Sequence, residues 1–189
     1  MNRVTGLGVL LPEGDVRVSR RGAPYTLGSL AFRGDGRYTQ LPLVGYGKMA
    51  ERVAELSGKP VVLAGYLYEQ LVGEKRRMKA VVEEVFQIQA PVFEALLSHP
   101  CVDGYARAEV SGLLATPPHP LRGAVRLRVA VRYPLGRADG ETFVQGVVPG
   151  QEALLQLQPG SRVFLAGSLL PKKGSNNLLE MYVSEARCA

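Results

Sequence analysis

A chain of 189 residues with 46% hydrophobic content is long enough for one medium domain or two small ones and too apolar to stay disordered. It has no apolar run long enough to span a bilayer, and two cysteines (Cys101, Cys188) with two histidines (His99, His119) are too few for a Cys/His metal site of recognisable spacing. The net charge of +6 is spread evenly, with 13 basic and 10 acidic residues up to Pro100 and 10 basic and 7 acidic after it, so a polyanionic partner suits both halves.

In chain order, MNRVTGLGVLLPEGD reads as a first strand, Asn2 to Leu11, and not as a signal peptide, because acidic residues follow at once and no small-residue cleavage site is convincing. That places the protein in the cytoplasm, with both cysteines as free thiols. Gly6 and Gly8 inside the strand predict a bulge or sharp bend, as small closed barrels need at their corners. Val16 and Val18 alternate with Arg17 and Ser19 in a short extended piece, and Tyr25 to Arg33 is a second strand. Gly34-Asp35-Gly36 is a hairpin-type turn. In the third strand, Gln40 to Tyr46, alternation puts Leu41 and Leu43 on one face and Tyr38, Gln40, Pro42, Val44 and Tyr46 on the other. Lys48 to Leu56 has helical spacing, with Met49, Val53 and Leu56 as a packing stripe for a barrel end. Pro60 to Leu67 is a fourth strand, Tyr68 to Met78 a charged loop, and Lys79 to Ile88 a fifth strand. Five strands with a helix between the third and fourth is the order of an OB-fold, a small Greek-key barrel.

Gln89 to Asp103 is a boundary, with one or two helical turns across Phe93 to Leu97. The pattern then restarts. Ala106 to Ala115 echoes the start of the chain (VSGLL beside VTGLG), Pro117 to Pro120 is a turn, and Val125 to Tyr133 alternates cleanly. There Val125, Leu127, Val129 and Val131 face one way and Arg126, Arg128, Ala130 and Arg132 the other. Glu141 to Val148 is a third strand, Gly150 to Leu157 a shortened helix region and Arg162 to Leu170 a fourth strand. Pro171 to Asn177 is a basic turn and Leu178 to Ala186 the fifth strand. VLAGYL at Val62–Leu67 returns as FLAGSL at Phe164–Leu169, a repeat of about one hundred residues, too long for a solenoid. The expected fold is all-β: two tandem five-stranded OB barrels, each with a short helix between strands 3 and 4. The first domain is 1–88, a linker 89–103 follows, and a diverged second domain is 104–189.

No Ser/His/Asp or Cys/His set falls at compatible strand ends, and Glu83 and Glu84 point to opposite faces of one strand, so no enzyme, cofactor or metal is expected. Binding is better supported. A single-stranded nucleic-acid site needs cations along the phosphates and π-faces for the bases. The first half offers Tyr38 and Tyr46, then Tyr66 and Tyr68, with Phe32 nearby, among Arg3, Arg17, Arg33, Arg37, Lys48 and the run Lys75, Arg76, Arg77 and Lys79. In the second half the Arg126, Arg128 and Arg132 stripe is a phosphate-contact candidate, with Tyr133 and Phe143 as the nearest aromatics; a charged strand protected from aggregation is the alternative.

MNRVTGLGVL, PEGDVR, GAPYTLGSLA, VGYGKMAERVAEL, GKPVVLAGYL and KRRMKAVVEEV follow one another across residues 1–88. In this order and rough spacing they resemble the bacterial single-stranded DNA-binding protein family. The resemblance implies binding of single-stranded DNA with little sequence preference during replication, recombination or repair. It makes Tyr46 a base-stacking residue, with Lys48 the lysine of the same motif, places Arg3 where a basic residue contacts phosphate, and sets Arg17, a DNA-contact candidate, where the family has an Arg after the Pro-Glu turn. The Lys75, Arg76 and Arg77 segment becomes part of a hairpin embracing the strand. Gln40 and Val72 stand at or near places where the family stacks a Trp, and Tyr38 and Tyr68 stand beside them as substitutes. The resemblance also implies a homodimer with four barrels, nucleoid association and no membrane. The chain ends SEARCA, without the acidic tail through which the family recruits replication and repair proteins. The alternative from another class is an OB-fold assembly or protein-interaction subunit, a primosome-type accessory with weak or no DNA binding.

Overall fold

The computed structural model describes residues 1–72, 75–94, 99–135, 138–172 and 179–188. They form two compact units, one of Val4–Tyr66 with Lys79–Ala106 and the other of Met1–Arg3, Leu67–Met78 and Arg107–Ala189.

The first half contains β1 (Asn2–Pro12), β2 (Arg17–Val18), β3 (Pro24–Gly34), β4 (Arg37–Tyr46), α1 (Lys48–Glu55), β5 (Pro60–Val72) and β6 (Lys75–Gln87), followed by β7 (Phe93–Glu94) and β8 (Pro100–Asp103). β1 runs antiparallel to β3 on one side (Val9 opposite Ala31) and to β5 on the other (Val4 opposite Gly65). β3 pairs with β4, β4 runs parallel to β6 (Val44 beside Val81), and β6 returns to β5. The ring β1–β3–β4–β6–β5 is therefore closed, which leaves no open edge within the barrel. Its interior is the set that alternation assigns to one face, including Leu30, Phe32, Leu41, Leu43 and Leu63, each essentially inaccessible to water. Burying one such side chain is worth about 1.5–3 kcal/mol. Helix α1 closes one end with Ala50, Val53 and Leu56 buried, and the Thr26 hydroxyl donates to the Ala50 carbonyl at 3.0 Å.

The second half repeats the ring with β9 (Tyr105–Leu114), β10 (His119–Leu121), β11 (Ala124–Leu135), β12 (Ala138–Pro149), a 3-10 helix at Glu152–Gln156, β13 (Arg162–Pro171) and β14 (Leu179–Cys188). β9 meets β11 and β13, β11 meets β12, β12 runs parallel to β14, and β14 pairs with β13. Val125, Leu127, Val129 and Val131 are buried, as alternation predicts. Both halves are thus five-stranded OB barrels, with an α-helix between the third and fourth strands in the first and a 3-10 helix in the second.

Four details refine or correct the sequence-based expectations. Of the segment Tyr68–Met78, whose pattern predicts a loop, the residues up to Val72 continue β5 and those from Lys75 belong to β6, because strand pairing satisfies their backbone groups even where the side chains are charged. Pro117–Pro120 gives up its last two residues to β10, where His119 lies opposite Arg126. Of the bulge or sharp bend expected at Gly6 and Gly8, the bulge is absent toward β5, where the two pair with Leu63 and Val61 in unbroken register. The expected helix at Phe93–Leu97 begins as strand, with Phe93 opposite Cys101, and its remaining residues lie outside the described ones. Much of the turn Pro171–Asn177 lies outside them as well.

Among the described residues no helix is long and apolar enough to cross a membrane. Both cysteines are free thiols; Cys101 is buried and Cys188 exposed. Burial pushes the Cys101 thiol pKa up, with Arg33 opposing the shift. In the folded chain an aromatic disulfide reagent at neutral pH is therefore expected to titrate Cys188 rapidly and Cys101 only after unfolding. Two fast thiols would contradict the burial.

Candidate nucleic-acid interface

The hairpin turn of β3 and β4 has Asp35 at φ 49° and Gly36 at φ 71°, the positive values that a two-residue turn between twisted strands requires. That turn fixes the register, and counting outward from it places Arg33 opposite Tyr38, Ala31 opposite Gln40, and Tyr25 opposite Tyr46. On the other flank of β3, Arg17 of β2 lies opposite Tyr25. Residues directly opposite one another project to the same face of a sheet. Arg17, Tyr25 and Tyr46 therefore form one row across three strands, on the side away from Thr26, Leu30 and Phe32. Tyr46 is 49% exposed and Arg17 is exposed. Gly47, at φ 57°, turns the chain into α1 and donates its N–H to the Pro24 carbonyl at 2.9 Å, which puts exposed Lys48 two residues beyond Tyr46.

The same face continues along β4. Val44 is buried although alternation puts it outward, half-buried Pro42 follows, and the Gln40 amide donates to the Tyr38 hydroxyl at 2.6 Å. Tyr38 and Tyr46 are separated by about 26 Å at the usual rise per strand residue. Opposite Tyr38, the Arg33 guanidinium donates to Asp103 at 2.8 Å and covers the Phe93 ring at 4.2 Å. The hydrogen bond to Asp103 holds the Arg33 pKa above its ordinary value. Arg37, beside the turn, is exposed.

Of the sequence-predicted residues, Arg17, Tyr38, Tyr46 and Lys48 thus share one surface, flanked by Arg33 and Arg37. Tyr66 is half-buried on β5 in the same unit. Arg3, Tyr68 and Arg77 belong to the other unit; Arg3 and Arg77 are exposed, and Tyr68 packs edge-on against Tyr133 with ring centres 5.2 Å apart. Burial, with a smaller effect of Tyr68, pushes the Tyr133 hydroxyl pKa up. Burial lowers the Lys79 pKa. The side chains of Lys75 and Arg76 lie outside the described residues. Sequence reasoning missed Tyr25, although equal steps outward from the Asp35-Gly36 turn would have paired it with Tyr46.

In the second half, Gly150 donates to the Gly123 carbonyl at 3.1 Å, the bond that Gly47 makes to Pro24 in the first. Leu121, Ala124 and Pro149 lie opposite one another at the places of Arg17, Tyr25 and Tyr46, so the aromatic row is gone. Further along, Phe143 occupies the position of Gln40, opposite Ala130. The arginine stripe of β11 lies on this face with acidic partners: Arg126 bonds Glu180 at 3.2 Å, and Arg128 bonds Glu69 at 2.9 Å while covering the Phe143 ring at 4.6 Å. Arg132 is exposed, opposite Glu141. An open cleft of about 280 Å³ beside them is lined by Thr116, Pro117, His119, Arg126, Arg128 and Gln145. Among the described residues no group of three or more His, Cys, Asp or Glu could hold a metal ion.

No family model matches the chain, and no curated protein matches it. Among solved structures, it is similar to the wild-type single-stranded DNA binding protein from Thermus aquaticus, at 15% identity and a TM-score of 0.70, over 100% of this chain and 93% of that one. A deletion mutant of the same Thermus aquaticus protein aligns at 16% identity and a TM-score of 0.68, over 100% of this chain and 94% of that one. At this identity the likeness shows the fold.

Proposed function

We propose that the chain binds single-stranded DNA with little sequence preference, on the outer face of β2, β3 and β4. The observation that carries this is the Arg17–Tyr25–Tyr46 row with Lys48 at its end: two neighbouring π-faces flanked by two exposed cations. Each stacked base is worth about 1–3 kcal/mol, and stacking tolerates any base because every base has a π-face. Cations along the row hold phosphates without reading sequence. In the cell this is a cytoplasmic, non-catalytic role in replication, recombination or repair. The proposed domains are residues 1–88 and 104–189 with a linker at 89–103, and two chains pair to present four barrels.

Fluorescence anisotropy of labelled oligo(dT), against duplex of equal length and across a salt series, tests the reading. Affinity for oligo(dT) should exceed that for duplex and fall linearly with salt on logarithmic axes. Arg17→Ala and Lys48→Ala should each flatten the slope by about 0.7, the counterion release of one single-strand phosphate contact. One observation favours a second reading, an assembly subunit with weak DNA binding: Arg126 and Arg128 are engaged by Glu180 and Glu69. Failure of oligo(dT) to bind at low salt would select it.

A further inference from the structure

The β11–β12 face is the counterpart of the β3–β4 face, and further along it than the lost aromatic row, where Phe143 takes the place of Gln40, its components are occupied by one another. Glu69, on β5, belongs to the same compact unit as β11 and β12. Its backbone N–H donates to the Thr142 hydroxyl at 2.8 Å, and its carboxylate takes the Arg128 guanidinium at 2.9 Å. Both side chains are largely out of water, at 14% and 16% exposure. Arg128 in turn lies over the Phe143 ring, and Tyr68, the neighbour of Glu69, packs against Tyr133. A base arriving at Phe143 meets a guanidinium already on the ring, and a phosphate arriving at Arg128 meets a carboxylate.

We infer that Glu69 is a specificity-determining latch, which keeps the Arg128–Phe143 surface out of nucleic-acid binding and limits each chain to one binding face. The inference rests on the proposed single-strand binding. A carboxylate held at hydrogen-bonding distance and largely out of water is screened far less by salt than a surface pair, so raised salt does not open the latch while it weakens the DNA competing for it. The footprint per chain is accordingly short, and the strand lies on the Tyr25–Tyr46 face.

Glu69→Gln tests this in the full chain, because it removes the charge and keeps the volume and one acceptor oxygen. The variant should occupy more nucleotides per chain in a poly(dT) titration and steepen the salt slope by about 0.7 for each phosphate gained. Adding Arg128→Ala to Glu69→Gln should abolish the gain. A folded Glu69→Gln chain with the wild-type footprint and slope would overturn the latch, as would a gain that survives Arg128→Ala. Should Glu69→Gln fail to fold, phenylglyoxal modification of the wild-type chain decides: Arg128 should react slowly with or without oligo(dT), and fast reaction suppressed by oligo(dT) would overturn it. A wild-type chain that binds no oligo(dT) defeats the proposed function instead. In that case gain of binding by Glu69→Gln upholds the latch and continued silence overturns it.

Discussion

Replacing Tyr25 and Tyr46 together with alanine should lower affinity for oligo(dT) by at least about fivefold, with the fold intact. A stacked base contributes about 1–3 kcal/mol, and two rings on directly opposite strand positions can serve one base each or share one. Sharing makes the two truncations non-additive, so the lower bound is set by the loss of a single stack. The structural cost is small by comparison. Tyr46 is half exposed and Tyr25 half-buried, both on the face away from Leu30, Phe32, Leu41 and Leu43. Losing one cross-strand aromatic pair costs roughly 0.2–1 kcal/mol of stability. Tyr→Phe at both positions should restore most of the affinity, which separates stacking from hydrogen bonding by the hydroxyls. Wild-type affinity in a folded double-alanine variant would end the claim that this row is the interface.

Why these two tyrosines were unequally visible is a matter of range. Tyr46 stood out because it sits beside Gly47 and Lys48 in a recognisable local pattern. Tyr25 lies twenty-one positions earlier, and only the register set by the Asp35-Gly36 turn brings it opposite. The barrel order was legible for a related reason: alternation in Val125–Tyr133 and the Leu41/Leu43 face are local, and closing a five-stranded ring follows from them. The long β5–β6 hairpin was legible only through the family resemblance, not in the residue pattern itself. Charge in Tyr68–Met78 looks like a loop until the partner strand is known.

The arginine stripe shows the limit most plainly. Period-two spacing correctly put Arg126, Arg128 and Arg132 on the face opposite the core. Nothing in that spacing shows that Glu69, fifty-nine positions earlier, would meet Arg128, or that Glu180 would meet Arg126. A stripe of cations reads as a phosphate track only while its partners are unknown, and long-range ion pairing is set by tertiary packing. The Tyr38–Gln40 hydrogen bond makes the same point in reverse: the glutamine that stood in place of an expected aromatic fixes the tyrosine beside it.

Gly65→Ala and Gly167→Ala should each destabilise the chain by about 3 kcal/mol, the upper end of the usual cost of overpacking. These are the glycines of the two LAG repeats, on β5 and β13. A Cβ at Gly65 would run into the Val81 carbonyl oxygen, with the Val81 carbonyl carbon at 2.9 Å and Val82 Cα at 3.2 Å. At Gly167 it would meet the Tyr182 carbonyl oxygen, with Val183 Cα at 2.7 Å. Every one of these neighbours is backbone on the adjacent strand, so relief requires moving a strand within a closed barrel and not a side-chain end. Neither glycine has a positive φ, so the cost is space alone. The sign is informative, because Gly→Ala in an open strand position typically stabilises by about 0.4–1 kcal/mol through the unfolded chain. A loss of about 3 kcal/mol in a chain of this length corresponds to a fall in Tm of roughly 6–12 °C. A fall below about 2 °C in calorimetry would show that the strands can part at this point, against the overpacking cost. The repeat that most clearly marks the two halves as related therefore records where two strands approach too closely for a Cβ, while the residues that would touch a ligand, Tyr25 and Tyr46 against Ala124 and Pro149, are where the halves have diverged.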